Sequence, residues 1–463
     1  MFNYMFQIDR SRDLPLQAQL CQQVQEALLS GALPGDSPLP SIRGLAAMLE
    51  VSKTTVESAY AQLLAEGYIV SRPGSGHRTA SLQALPPIAA VAAAAAEGGG
   101  GPPVTYDMSG STIDPQSFPT AVWKRYLGRA LTDAPPAGGY GDAQGEYPLR
   151  QQLAAYSYRS RGVVCSPQQI VVGAGVQSLL ALLCAVFRRR AARGDGTPLA
   201  VGLEKPGFLQ ARQVLCDHGF AVCEYELDQL LAGALPPVAM LYCDPQSPGH
   251  AGHFGAAEKL ALLRHCDARQ CFLLEDDYAG EFRYLQRPIP ALQGMRPQNG
   301  QVIYMGSFSR LLLPSIRVSY LVLPPTLLPD YRALGRAYNQ TCSSTEQLAL
   351  SGFIADGHLY RHIGRLRRLY GQKSRLLKEA LRSAFGRRIK VLPFDSGLQL
   401  LVEIDCPRPG PEIEARCRQA GLICQAVPVK SSQRPRLLLG FCALPPEKIA
   451  PAAALLCAVC DRP

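Results

Sequence analysis

The segment SFSRLLLPSIRVSY, Ser307 to Tyr320, joins a strand-like end to a basic loop that contains a proline. It continues the apolar run QVIYMGSFS, which has the length and the β-branched and aromatic content of a buried strand. Four more segments are built the same way: QIVVGAGVQSLLALLCAVF (169–187), LAVGLEKPGF (199–208), PVAMLYCDPQ (237–246) and CFLLEDDYAGEF (271–282). Each is a short apolar run closing in a polar loop, with helical sequence between one run and the next. That alternation predicts an α/β fold with a mainly parallel sheet and helices on both faces. Ligands gather outside the carboxyl ends of such strands, where GAGVQ, EDDY and SFSR fall.

Upstream, the composition breaks at SLQALPPIAAVAAAAAEGGGGPPV, residues 81–104. Small residues, a glycine run and paired prolines cannot build a core, so this stretch is expected to be a linker. It divides the 463-residue chain into 1–80 and 105–463, the latter with a large part (about 105–330) and a smaller C-terminal α/β part (about 331–463). In the first segment Leu16, Leu20, Val24 and Leu28 recur in helical register until Gly31 and Pro34. Ser41 is placed to cap a short helix with Leu45 and Leu49 on one face, and Ser52 to cap a second. That second helix carries Val56, Ala59, Tyr60, Leu63 and Leu64 as an apolar stripe. YIVSRPGSGHRTA then reads as two strands around a glycine-rich turn. Two tightly joined helices, the second opening with Ser52, Lys53, Thr54 and Thr55, form a helix-turn-helix layout whose polar first turn can face DNA. A generic three-helix bundle is the plainer alternative, against which stand that lysine and its three hydroxyls.

The motifs PLQAQL, LPSIR (39–43), VSKTTV, AYAQLLAEGYI and RPGSGH together resemble the winged helix of GntR-type regulators. The resemblance implies DNA contacts by Arg43, by Ser52, Lys53, Thr54 and Thr55, and by the wing near Gly76. Ile42 and His77 depart from the commoner Ser and Thr. Beyond the linker, YGDAQGEYPLR, QIVVGAGVQ, EKPGF, LLEDDYAGEFRY and SFSRLLLPSIRVSY follow in an order that resembles the fold-type I aminotransferase-like domain of MocR-type regulators. In that family such a domain binds pyridoxal phosphate and usually dimerises. The resemblance implies Asp276 at the ring nitrogen, Tyr278 at the ring hydroxyl and Phe208 near the ring face. It places Val176, Gln177, Ser307, Ser309 and Arg317 around the phosphate, and Tyr140 against the neighbouring subunit's phosphate. Read without the family, Asp276 and Asp277 are equally a solvated strand end.

The departures matter as much. Arg310 stands where the family's SFSK lysine forms the Schiff base, and a guanidinium stays protonated where imine formation needs a neutral amine. Covalent pyridoxal phosphate is therefore not expected, and non-covalent binding is left open. Ser247 and Pro248 replace His and Gln, and Ser319 replaces a glycine. Leu438 stands where related transaminases carry an arginine for a substrate carboxylate, with Arg436 two residues earlier on the same strand face as the expected substitute.

The reading that follows is a DNA-binding transcriptional regulator, expected to be a homodimer, whose large domain dimerises and is available to sense a small-molecule effector. Its rivals are a transaminase with an N-terminal appendage, which the missing lysine opposes, and a ligand-free dimerisation scaffold. No secretory signal and no bilayer-length apolar run is evident, so a cytoplasmic protein is expected. The net charge of +10 does not sit in residues 1–80, which hold six Lys/Arg and seven Asp/Glu. It sits in residues 358–390, with eleven Lys/Arg against one acid. There Ile363, Leu366, Leu369, Leu377, Ala380 and Ala384 trace one helical face, and Arg361, Arg365, Arg368, Arg375 and Arg382 another, read as a solvated face ahead of a polyanion surface. Fifteen scattered cysteines read as buried thiols, Cys457 and Cys460 included, and no metal site is expected.

Overall fold

The computed structural model describes residues 6–72, 76–81, 104–132, 141–194, 196, 198–205, 207–233, 235–248, 254–282, 290–296, 300–335, 338–394, 397–429 and 434–461. The chain forms two units, Met1–Gly101 and Pro102–Pro463. Residues 82–103, most of the expected linker, lie outside the described residues.

The first unit contains α1 (Leu16–Leu29), α2 (Ile42–Met48), α3 (Lys53–Ala65), β1 (Ile69–Arg72) and β2 (Gly76–Thr79). Ser41 Oγ accepts from Gly44 N at 3.1 Å and Ser52 Oγ from Thr55 N at 3.1 Å, so each serine satisfies a helix-start amide. Leu20, Val24, Leu28, Leu45, Val56, Ala59, Tyr60, Leu63 and Ile69 fill one core. Leu64, assigned to that stripe from sequence, is 36% exposed. It follows Leu63 by one residue, about 100° around a 3.6-residue turn, and so leaves the buried face. β1 and β2 pair antiparallel from Ile69↔Thr79 to Arg72↔Gly76.

The second unit is built on a seven-stranded sheet. Its strands are β3 (Ile170–Gly173), β4 (Ala200–Glu204), β5 (Ala221–Tyr225), β6 (Met240–Cys243), β7 (Phe272–Asp277), β8 (Val302–Ser307) and β9 (Ser319–Val322). The order is β3-β9-β8-β7-β6-β4-β5, and only β9 runs against its neighbours. Period-two alternation feeds a core on each face: Ile170, Val172 and Tyr304 enter one, Val171, Ile303 and Met305 the other. β10 (Ile389–Val391), β11 (Gln399–Ile404), β12 (Gln425–Val427) and β13 (Arg436–Gly440) form a second, antiparallel sheet, ordered β10-β11-β13-β12.

Helices α4 (Tyr147–Arg161), α5 (Val176–Ala192), α6 (Leu209–Asp217), α7 (Ala256–Arg269), α8 (His358–Phe385) and α9 (Pro446–Asp461) are among those packed on these sheets. The 28 residues of α8 bury Leu359, Ile363, Leu366, Leu377 and Leu381, while Arg361, Arg365, Arg368, Arg375 and Arg382 are exposed. Lys373, on the buried side of the same helix, donates to Asp114 Oδ2 at 2.9 Å and to the Cys442 carbonyl at 2.8 Å. Cys457 and Cys460 are buried within α9. Among the described residues, no helix is long and apolar enough to cross a membrane.

Candidate functional site

On the first unit, Arg43, Ser52, Lys53 and Thr54 are exposed and Thr55 is half-buried. Ser52 Oγ lies 2.7 Å from Thr55 Oγ1 and 3.0 Å from Thr54 Oγ1, so the hydroxyls order one another at the start of α3. Arg43 and Lys53 have no hydrogen-bond or ion-pair partner among the described residues. The wing arginines differ. Arg72 and Arg78 both pair with Asp36, at 3.1 and 2.9 Å. Gly76 opens β2 at φ 76°, a left-handed conformation that a glycine adopts without strain. His77 meets the Tyr60 ring edge-on at 5.0 Å, and Tyr60 donates to the Pro40 carbonyl at 2.9 Å, which ties the wing to the helices.

On the second unit the carboxyl ends of β3, β6, β7 and β8 bring most of the remaining candidates to one edge of the sheet. Asp276 is 6% exposed. The Tyr242 hydroxyl donates to its Oδ2, while its Oδ1 is buried and has no hydrogen-bond partner among the described residues. Burial pushes the Asp276 carboxyl up to about 6, against the Tyr242 hydrogen bond, with Asp277 adding to the rise. Asp277 is no solvated strand end: it is 3% exposed, pairs with Arg161 Nε and accepts from Tyr304 Oη at 3.1 Å.

Gly175, at φ 88°, precedes α5, whose first residues are Val176 and Gln177. A Cβ at Gly175 would stand 2.2 Å from Arg317 Nη2, so only a glycine lets this arginine lie against the helix start. Arg317, left-handed at φ 56°, donates to the Ala174 carbonyl at 3.2 Å. Ser307 Oγ accepts from Ser319 Oγ at 3.0 Å and from Ser309 N at 3.3 Å. Ser319, a departure from the family glycine, thus orients Ser307. Tyr278 is half-buried just past Asp277, and Phe208 is 39% exposed at the start of α6. Tyr140 lies outside the described residues.

These groups fit pyridoxal phosphate in part. The unpaired Asp276 Oδ1 is an acceptor for a protonated ring nitrogen, and the Gly175 turn with Arg317 and two serines suits an anion. The covalent anchor does not fit. Arg310 follows β8 by three residues, is half-buried, and has its Nη1 buried without a partner among the described residues.

Known proteins agree with this two-part architecture. The family described as "Bacterial regulatory proteins, gntR family" matches residues 16–78, and "Aminotransferase class I and II" matches 111–453. The chain is 32% identical to the uncharacterized HTH-type transcriptional regulator YdeL of Bacillus subtilis over 94% of each chain. It is 30% identical to the probable rhizopine catabolism regulatory protein MocR of Rhizobium meliloti over 86% of this chain and 83% of that one. The chain belongs to the MocR-type regulators. Kynurenine aminotransferase of Pyrococcus horikoshii shares the fold of the large domain, with a TM-score of 0.64 at 20% identity over 81% of this chain and 95% of that one.

In this MocR-type regulator Arg436, the arginine expected from sequence to meet an effector carboxylate, already has an acidic partner. It is held across the second sheet by Glu403 Oε2, through Nε at 3.2 Å and Nη2 at 3.1 Å, because β11 and β13 place the two residues opposite each other. Leu438 itself is buried against Leu401 and Val427.

Two site residues escaped the sequence reading. Gln246 is 4% exposed, and neither end of its side-chain amide has a partner among the described residues. His362 is 1% exposed in α8, and its Nε2 donates to the Leu311 carbonyl at 2.7 Å, gripping the turn that carries Arg310. Burial pushes His362 from its ordinary 6.5 down to about 4. The folded protein therefore refuses a proton that the unfolded chain takes up, so stability is complete above pH 6.5 and drains as pH falls towards 4. Between pH 7 and pH 5 this amounts to up to about 2 kcal/mol. His362→Gln keeps a donor for Leu311 but cannot titrate, so its urea midpoint should fall less steeply over that range than the wild type's. Parallel slopes would exclude His362 as the titrating group.

Proposed function

We propose that this protein regulates transcription as a DNA-bound homodimer, and that its aminotransferase-like domain is no enzyme but a dimerising and effector-sensing part without a covalent cofactor. Arg43, the Ser52–Thr55 turn and the backbone at Gly76 form the DNA-facing surface. Arg43 and Lys53, unpartnered among the described residues, are suited to base edges or phosphates, whereas Arg72 and Arg78 serve the wing itself. In the large domain Asp276 receives a ring nitrogen and Tyr278 a ring hydroxyl, with Phe208 beside the ring. Val176, Gln177, Ser307, Ser309 and Arg317 surround an anionic group.

The observation that carries the reading is Arg310 in the turn after β8. Transamination needs an amine there twice, to bind the aldehyde and to shuttle the proton at the substrate's alpha carbon. A guanidinium does neither at physiological pH. Two lysines buried elsewhere in the domain are already engaged: Lys259 with the Pro290 carbonyl at 3.3 Å and Lys373 with Asp114. Purified protein mixed with pyridoxal phosphate is expected to show no imine absorption band, and borohydride should leave no phosphopyridoxyl-lysine in its peptides. An adduct on a lysine of the pocket would overturn the non-covalent reading.

A further inference from the structure

We propose that Arg310 converts the anchoring position into a carboxylate site, so that the pocket takes a pyridine-type ring with a protonated nitrogen and a carboxylate on the side opposite that nitrogen. This rests on the non-covalent reading above and adds the chemical class of the ligand.

Three neighbouring strands each lead to a polar side chain with a buried atom that has no hydrogen-bond partner among the described residues. Gln246 lies three residues beyond β6, Asp276 is on β7, and Arg310 lies three residues beyond β8. Adjacent strands are about 4.8 Å apart, so the three positions follow carboxyl ends that together span about the width of a small ring system. Among the described residues the Gln246 amide is unpaired at both ends, Asp276 lacks a partner at Oδ1 and Arg310 at Nη1. Protein interiors pair nearly all such atoms, and four exceptions on three side chains at adjoining strand ends describe a missing partner. Its chemistry follows from theirs. Asp276 asks for a donor, best a cationic N–H. Arg310 asks for an anion. Gln246 accepts one hydrogen bond and gives another.

The anion is a carboxylate rather than a second phosphate. A guanidinium fork matches the two oxygens of a carboxylate as well as a phosphate, and what favours the carboxylate is that Ser307, Ser309, Arg317 and the start of α5 already provide a separate cradle for a phosphate. The residue nominated from sequence for a carboxylate, Arg436, is occupied by Glu403. Asp107 is the acid that feels the Arg310 charge, yet the two form no ion pair among the described residues. Asp107 is instead held by Ser109 N at 2.9 Å and Thr112 Oγ1 at 2.8 Å.

Calorimetric titration of the full chain tests this with four probes: 4-pyridoxate, which has a carboxylate opposite the ring nitrogen; pyridoxine, which has a neutral alcohol there; and pyridoxal phosphate with and without excess glycine. 4-Pyridoxate should bind at least tenfold more tightly than pyridoxine, and Arg310→Gln should shrink that ratio to within twofold. Asp276→Asn should weaken both ligands and keep the ratio, a result that a merely misfolded pocket would not give. If glycine tightens pyridoxal phosphate binding, and Arg310→Gln abolishes the gain, the carboxylate comes from an amino acid. If only 4-pyridoxate gains, it belongs to the ring. Either result supports the site. No carboxylate preference from either source, or a preference that survives Arg310→Gln, overturns it. The borohydride experiment keeps the two levels apart: an adduct sinks the non-covalent reading, while no adduct and no preference sink the carboxylate site alone.

Discussion

Separated from the rest of the chain, residues 1–80 should bind a DNA carrying two half-sites at least a hundredfold more weakly than the full-length protein. Three observations lead there. The segment holds six Lys/Arg against seven Asp/Glu, so it offers little long-range attraction to phosphate. Two of its arginines are engaged by Asp36. Arg43 and Lys53, without hydrogen-bond or ion-pair partners among the described residues, are a small contact set for one module. Joining two such modules through dimerised large domains makes the second binding step intramolecular, typically a gain of about 10²–10⁴. By composition, the 24 residues from 81 to 104 are expected to span roughly 25–30 Å, and two such spans would reach half-sites about 34 Å apart. Anisotropy titrations of both proteins on one labelled duplex, across a salt series, measure the difference. Equal affinities would exclude the tethered arrangement.

Arg161→Met is expected to cost the second unit about 3–5 kcal/mol, the usual consequence of stranding one member of a buried ion pair. Arg161 and Asp277 expose 0% and 1% of their side chains. Removing the guanidinium leaves a carboxylate enclosed in protein, with the Tyr304 hydroxyl as its one remaining hydrogen-bond partner among the described residues. Replacing both residues, Arg161→Met with Asp277→Leu, should recover much of the loss, since an apolar pair leaves no charge behind. Denaturant midpoints of the wild type, the single and the double variant test this. A single variant within about 1 kcal/mol of wild type would show that Asp277 finds another partner or takes up a proton.

How much the sequence discloses depends on the range of the interaction. Helix caps, apolar stripes and strand-then-loop units are local, so Ser41, Ser52 and the strand ends at Asp276 and Ser307 could be read directly. The reversed direction of β9 could not, because SIRVSYLVL looks the same whichever way its strand runs. Side-chain partnerships were the least legible. Arg161 meets Asp277 across 116 residues and Lys373 meets Asp114 across 259, and no periodicity announces either. Arg436 shows the same limit: its strand position could be read, but the acid opposite it, Glu403, depends on a register that only the folded sheet sets. Gln246 and His362 carry no motif, and the functional interest of each comes from atoms around it that arrive from distant segments.

One consequence concerns mechanics. Helix α8 is gripped, among other points, by His362 under the Arg310 turn and by Lys373 at Asp114 and Cys442, eleven residues or roughly 16 Å apart along its axis. A helix resists stretching, so those contacts make it a strut between the turn after β8 and the chain beyond the second sheet. A ligand that pulls on Arg310 loads the strut at one end, and the load is delivered at the other.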